Sequence, residues 1–104
     1  MTFKTIQATQ ASELLQQNRA GVVDIRDPQS YQQGHIKGAL HLDNDKVAAF
    51  VAEQDKQKPW IVCCYHGVSS QSAAQFLVDQ GFEEVYSLDG GYALWQSVAP
   101  DWCE

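Results

Sequence analysis

The chain has no Lys or Arg after Lys58: all seven of its basic residues lie in the first 58 positions, and six of its 13 acidic residues come after them. The formal charge of -6 therefore belongs to residues 59–104. Long-range attraction of nucleic acid or of an anionic membrane needs a basic face, so this composition excludes both as partners, and the surplus acid otherwise serves solubility. No apolar run approaches the ~20 residues of a membrane span. The opening Met1-Thr2-Phe3-Lys4-Thr5 lacks the apolar segment of a secretory signal, so a cytoplasmic, reduced protein is expected. Cysteine is scarce and odd in number: Cys63, Cys64 and Cys103 fit neither a disulfide framework nor a zinc-ligand spacing. His35 and His41 have no Cys or carboxylate at metal-ligand spacing and read as structural, so no metal is expected. Repeats, linkers and low-complexity segments are missing too.

What is present is 104 residues with 44% hydrophobic content, enough for one globular domain over 1–104 with a short tail from about residue 99. Short β-branched runs alternate with helical patterns. Phe3 to Ile6 reads as a first strand, and Thr9 as the cap of a helix with Ala11, Leu14 and Leu15 on one face, closed by Gly21. Val22-Val23-Asp24-Ile25 is an apolar run of the kind covered on both faces, and Asp27-Pro28 turns the chain into a helical turn before Gly34. Gly38 to Leu42 gives a strand, and Asp43 or Asn44 caps a helix with Val47, Phe50 and Val51 inward. Trp60 to Cys64 is the strongest strand signal, followed by a loop and a helix from near Ser70 that carries Ala73, Ala74, Phe76 and Leu77, with Gly81 at its end. Val85 to Leu88 is the fifth strand, and a last helix starts near Tyr92 after the Asp89-Gly90-Gly91 turn. Five strands with helical connections predict an α/β fold: a mainly parallel five-stranded sheet covered by helices on both faces.

In such a sheet ligands bind beyond the carboxyl ends of the strands, which is where Cys64 stands. Tyr65-His66-Gly67-Val68-Ser69 then leads into the helix near Ser70, whose unpaired amides and partial positive charge suit an anion. A free thiol with pKa ~8.5 is only about 3% ionised at pH 7, so this placement predicts an activated thiolate. Gly67 fits because converging amides require residues that tolerate positive φ. Side chains alternate along a strand, so Cys63 points the opposite way, into packing. Cys103 is expected as an exposed or loosely tucked thiol, with a resolving role second to that. His66 is open to two roles, base or anion contact against a solvent-facing loop residue. Arg26-Asp27 is open to two as well: a buried ion pair or turn anchor first, substrate contact second.

Asp24-Ile25-Arg26-Asp27-Pro28-Gln29-Ser30-Tyr31, then Gly34-His35-Ile36 and Gly38-Ala39, resemble the N-terminal signature of rhodanese domains. Cys64-Tyr65-His66-Gly67 with Ser69-Ser70, Ala73-Ala74-Gln75, Tyr86-Ser87, Asp89-Gly90-Gly91 and Trp95 extend the resemblance to single-domain members of that family, from about Val22 to Trp95. The resemblance implies a thiosulfate sulfurtransferase in which Cys64 carries a persulfide, sulfite is released, and an acceptor removes the sulfur: cyanide in vitro, and in the cell a thiol or a dithiol such as thioredoxin. It implies that residues Tyr65, His66, Gly67, Val68, Ser69 and Ser70 hold the substrate, with support from Arg26, Asp27 and Gln71, and with no cofactor. A monomer is expected. Related phosphatases and arsenate reductases place Arg six residues after the cysteine, where this chain has Ser70; they are the alternative, and a protein-persulfide relay or a binding module is the second. Single-domain members carry Asn and Lys at the positions of Val68 and Gln71, and the missing charge predicts a weak Michaelis constant for thiosulfate.

Overall fold

The computed structural model describes residues 2–104. Five strands, β1 (Lys4–Ile6), β2 (Gly21–Asp24), β3 (Leu40–His41), β4 (Trp60–Cys63) and β5 (Val85–Leu88), form one sheet in the order β1-β5-β4-β2-β3. Every pairing in the sheet is parallel. Parallel neighbours need crossovers, and α1 (Ala8–Gln16), α2 (Pro28–Gln33), α3 (Val47–Glu53) and α4 (Ser69–Asp79) supply them, with α5 (Gly91–Val98) closing the fold. The central strand β4 is buried along its whole length, which is why its sequence is continuously apolar instead of alternating.

The sheet carries a core on each face. On one, Val22, Ile61, Cys63 and Leu88 pack under α1 and α5, with Trp95 fully buried among them. Truncating Trp95 to alanine would remove about 3–5 kcal/mol. On the other face, Val23, Val62 and Val85 pack under α3 and α4 through Phe50, Ala74 and Leu77. There Phe50 meets Trp60 edge to face and stacks on Phe82, with ring centroids 4.9 and 5.5 Å apart.

Several boundaries differ from the expectations above for local reasons. Gln7, not Thr9, caps α1, with the Gln10 side chain reaching back to the Gln7 amide. Gly21 is the first residue of β2; the preceding helix ends instead at a left-handed Asn18, φ 56°. Asp43 does not cap α3 directly but folds the turn before it, accepting from the amides of Asp45 and Lys46. Of the apolar residues on α4, Ala74 and Leu77 carry the inward stripe and Phe76 is 43% exposed. The tail is also docked: after a short 3-10 turn at Pro100–Trp102, Cys103 bridges Ile36 and Glu104 exchanges backbone hydrogen bonds with His35.

Candidate active site

Cys64 is the first residue past β4, at the carboxyl edge of the sheet, and the chain turns back from it through Tyr65 to Val68 into α4. An α-helix leaves its first amides without intrahelical partners, and an N-cap side chain normally takes one. Val68, at the N-cap of α4, has no such acceptor. The Cys64 sulfur takes that place, receiving the Ser70 amide at 3.3 Å and the Gly67 amide at 3.1 Å. It also pairs with the Ser70 hydroxyl at 3.2 Å.

Burial alone would push the Cys64 thiol up, but the Ser70 hydroxyl and the amides of Ser70, Gly67 and His66 outweigh it and hold the pKa below the ordinary cysteine value. Gly67 is at φ +89°, and a Cβ there would meet the Gly90 nitrogen at 2.9 Å, so the loop needs glycine on both counts.

The loop is held from outside by α5. The Tyr92 amide donates to the Cys64 carbonyl at 2.8 Å and the Ala93 amide to the Tyr65 carbonyl at 3.1 Å. Carbonyls drawn towards α5 leave the loop amides free to face the sulfur. Gly91 makes this approach possible: it sits at φ +57°, and a Cβ would come within 2.5 Å of the Tyr65 carbonyl.

The side chains named from the sequence divide into those at the sulfur and those around it. Gly67 and Ser70 touch the sulfur. Tyr65, His66, Val68 and Ser69 are exposed on the rim, Val68 most of all at 73%. Gln71 lies behind the loop, its amide group donating to the Gly67 carbonyl at 3.0 Å. Arg26 is buried, but its partner is Asp24, at 2.7 Å, and not Asp27. It also donates to the Gly34 carbonyl, and its guanidinium carbon lies 4.2 Å from the Tyr92 ring centroid and 5.6 Å from that of Tyr65. Arg26 thus buttresses the two tyrosines on either side of the loop-to-α5 contact. Asp27 caps α2 and accepts from the Ser30 amide and hydroxyl.

His35 stacks on Tyr31 and His41 bonds the Arg26 carbonyl, both bracing backbone. Cys63 is fully buried on the opposite face, and burial together with the Asp24 carboxylate pushes its thiol up. Cys103 is half-buried against the Ala99 carbonyl and the Tyr92 hydroxyl. One site residue escaped the sequence reading: Ser87 on β5, fully buried, with its hydroxyl 2.7 Å from that of Ser70. The available signals were its place in the Tyr86-Ser87 pair of the family resemblance and a small polar side chain among larger neighbours in Val85–Leu88.

An apolar groove of about 540 Å³ adjoins the loop at Ser69, between α4 and the segment leading into α3, with Ile25, Val47 and Phe76 in its walls. Among the described residues no group of His, Cys, Asp or Glu is arranged to hold a metal ion, and no helix is long and apolar enough to cross a membrane.

Relatives share both the fold and the sequence. The chain is 57% identical over 99 residues, 95% of its own length and 89% of the relative's, to a protein of Pseudomonas paraeruginosa named thiosulfate sulfurtransferase GlpE. A Pseudomonas putida protein of the same name is 56% identical over 98 residues, 94% of this chain and 89% of the relative. Among solved structures, reduced Bacillus anthracis CoADR-RHD superposes with a TM-score of 0.82 at 27% identity, over 97% of this chain and 18% of that one. A Rhodopseudomonas palustris protein described as a possible tyrosine phosphatase has a TM-score of 0.79 at 23% identity, over 92% of this chain and 81% of that one, a likeness of fold alone. Residues 7–98 match the Rhodanese-like domain, and with this cysteine cradle at the carboxyl edge of a parallel sheet the chain belongs to the rhodanese family.

Proposed function

We propose that the chain is a thiosulfate sulfurtransferase whose sulfur carrier is Cys64. The observation that carries the reading is the convergence of two amides and a hydroxyl on one sulfur whose ionisation they favour, in a chain 57% identical to named thiosulfate sulfurtransferases. The Cys64 thiolate attacks the outer sulfur of thiosulfate. A new S–S bond forms, the S–S bond of thiosulfate breaks, and sulfite leaves with its electron pair. The terminal sulfur of the persulfide carries the charge formerly on the thiolate, so amides aimed at the site stabilise charge before and after transfer without reorganising. A thiol acceptor then attacks that outer sulfur and Cys64 leaves as thiolate.

The position six residues after Cys64 supports sulfur chemistry over phosphoryl chemistry. A phosphatase of this type would place there an Arg to fork onto a tetrahedral oxyanion; Ser70 stands there instead, buried, with its hydroxyl on the cysteine. The exposed side chains of Tyr65 and Val68 form an apolar rim suited to a protein dithiol such as thioredoxin, with the neighbouring groove for its flanking residues. The protein acts as a monomer, and its three free thiols suit the cytoplasm. Incubation with thiosulfate followed by intact-mass measurement is expected to show one added sulfur atom on the parent and none on Cys64→Ser. Sulfur transfer that survives Cys64→Ser would sink the reading.

A further inference from the structure

Ser87 occupies a place in the fold that calls for an apolar residue. It pairs with Val62 in the sheet and alternates with Tyr86, so it faces the α4 side, the layer of Val62, Val85, Ala74 and Leu77. A fully buried hydroxyl there is unfavourable unless it is hydrogen-bonded, and the partner it has is Ser70, itself fully buried, at 2.7 Å. Ser70 is in turn 3.2 Å from the Cys64 sulfur. The three groups form an unbranched chain from the interior to the reacting atom.

We propose that Ser87 is a positioning residue for sulfur chemistry: it locks the Ser70 hydroxyl into the orientation that donates to the Cys64 thiolate. The proposal deepens the reading of Cys64 as the sulfur carrier. With Cys64 as a thiol, its S–H donates to Ser70 and Ser70 donates to Ser87. When the thiol proton leaves to solvent, both hydroxyls rotate: Ser87 donates to Ser70 and Ser70 donates to the sulfur anion. No proton passes between the serines, and every hydroxyl proton remains on its own oxygen. Because donation into Ser70 polarises its O–H bond, Ser87 strengthens the last hydrogen bond of the chain as well as aiming it.

The ionisable residues of the strand, loop and helix that frame the cradle are Cys63 on β4, Tyr65 and His66 in the loop, and Tyr92 on α5, with Arg26 against the rings of the two tyrosines. On the elements that carry the hydroxyl pair, Asp79 stands at the far end of α4, and Tyr86 of β5 points to the other face, bonded to Glu84. Ser87 can therefore be changed without replacing a charge.

The test is the rate of iodoacetamide alkylation at Cys64 as a function of pH, assigned by peptide mass in a Cys103→Ser background, with thiolate ultraviolet absorbance followed in parallel. Ser87→Val, close in shape to Ser87→Thr but without a hydroxyl, is expected to react about fivefold more slowly at pH 6, the gap closing at alkaline pH where the thiol is ionised in both. Ser87→Thr should keep most of the parent profile. A profile for Ser87→Val that overlies the parent overturns the proposal, and so does an equal loss in the Val and Thr variants, which would mark a packing effect. Should Ser87→Val not fold, Ser87→Ala against Ser87→Thr gives the same contrast. Alkylation needs no sulfur donor, so these outcomes are independent of whether the chain uses thiosulfate.

Discussion

Cys63 and Cys64 are neighbours in the chain, both nearly hidden from solvent at 0% and 5% exposure, and their thiols are shifted in opposite directions. Burial disfavours the thiolate in both. The difference is in the donors: Cys63 faces aliphatic side chains and a carboxylate on the α1 and α5 side, whereas Cys64 faces two amides and a hydroxyl at a helix start. A one-residue step along a strand thus separates a core thiol from one held towards its thiolate, the proposed sulfur carrier. What activates a cysteine here is the number of donors aimed at it, not how open it is to water.

The severest test of that contrast is to spoil the cradle without touching either cysteine. Gly91→Ala places a Cβ against the Tyr65 carbonyl in a left-handed backbone, and is expected to reduce sulfur transfer at least about 100-fold and to lower stability by about 3 kcal/mol, measured by turnover and urea unfolding. Ser70→Ala removes the side-chain donor of the cradle and should reduce transfer at pH 7 about tenfold, with the alkylation profile of Cys64 moved to higher pH. The sign has a stability counterpart. Since the folded thiol has a depressed pKa, its ionisation stabilises the fold fully above the unfolded thiol pKa, and the contribution is lost as pH falls through the folded value. The parent should therefore gain on Cys64→Ala in melting temperature as pH rises from neutral through the thiol range, and Ser70→Ala should gain less.

Cys63→Ala should do the converse, costing about 1 kcal/mol in urea unfolding while leaving transfer within about twofold; a large loss of transfer would erase the distinction between the neighbours. The smallest change is expected from Gln71→Lys, whose ammonium can still reach the Gly67 carbonyl and adds a charge beside the cradle. It should lower the Michaelis constant for thiosulfate about two- to threefold at low salt and less at high salt.

The order of strands and helices, the edge position of Cys64, its division of labour with Cys63 and the need for Gly67 were all legible in the sequence, because each follows from periodicity or from one residue's backbone freedom. The role of Ser87 was not: Tyr86-Ser87 belongs to the family resemblance, but a serine in a strand has no place at the site until the order β1-β5-β4 brings β5 beside the cysteine strand. For Arg26-Asp27 the sequence left the partner open: the chain leaves β2 such that Asp24 folds back onto the Arg26 guanidinium while Asp27 starts α2. The tail read as loose since its contacts, to Ile36 and His35, lie more than sixty residues away. The support that α5 gives the loop was hidden for the same reason.

That support has a kinetic meaning. With the Cys64 and Tyr65 carbonyls already tied to α5, the cradle takes its shape during folding, and nothing in it must be ordered when sulfur arrives. Loaded and empty enzyme should then share one backbone, the amides of Tyr92 and Ala93 exchanging with deuterium equally slowly in both. Turnover then waits on no ordering of the cradle, and its pace is set by how often a donor and then an acceptor reach a sulfur recessed in a preformed loop.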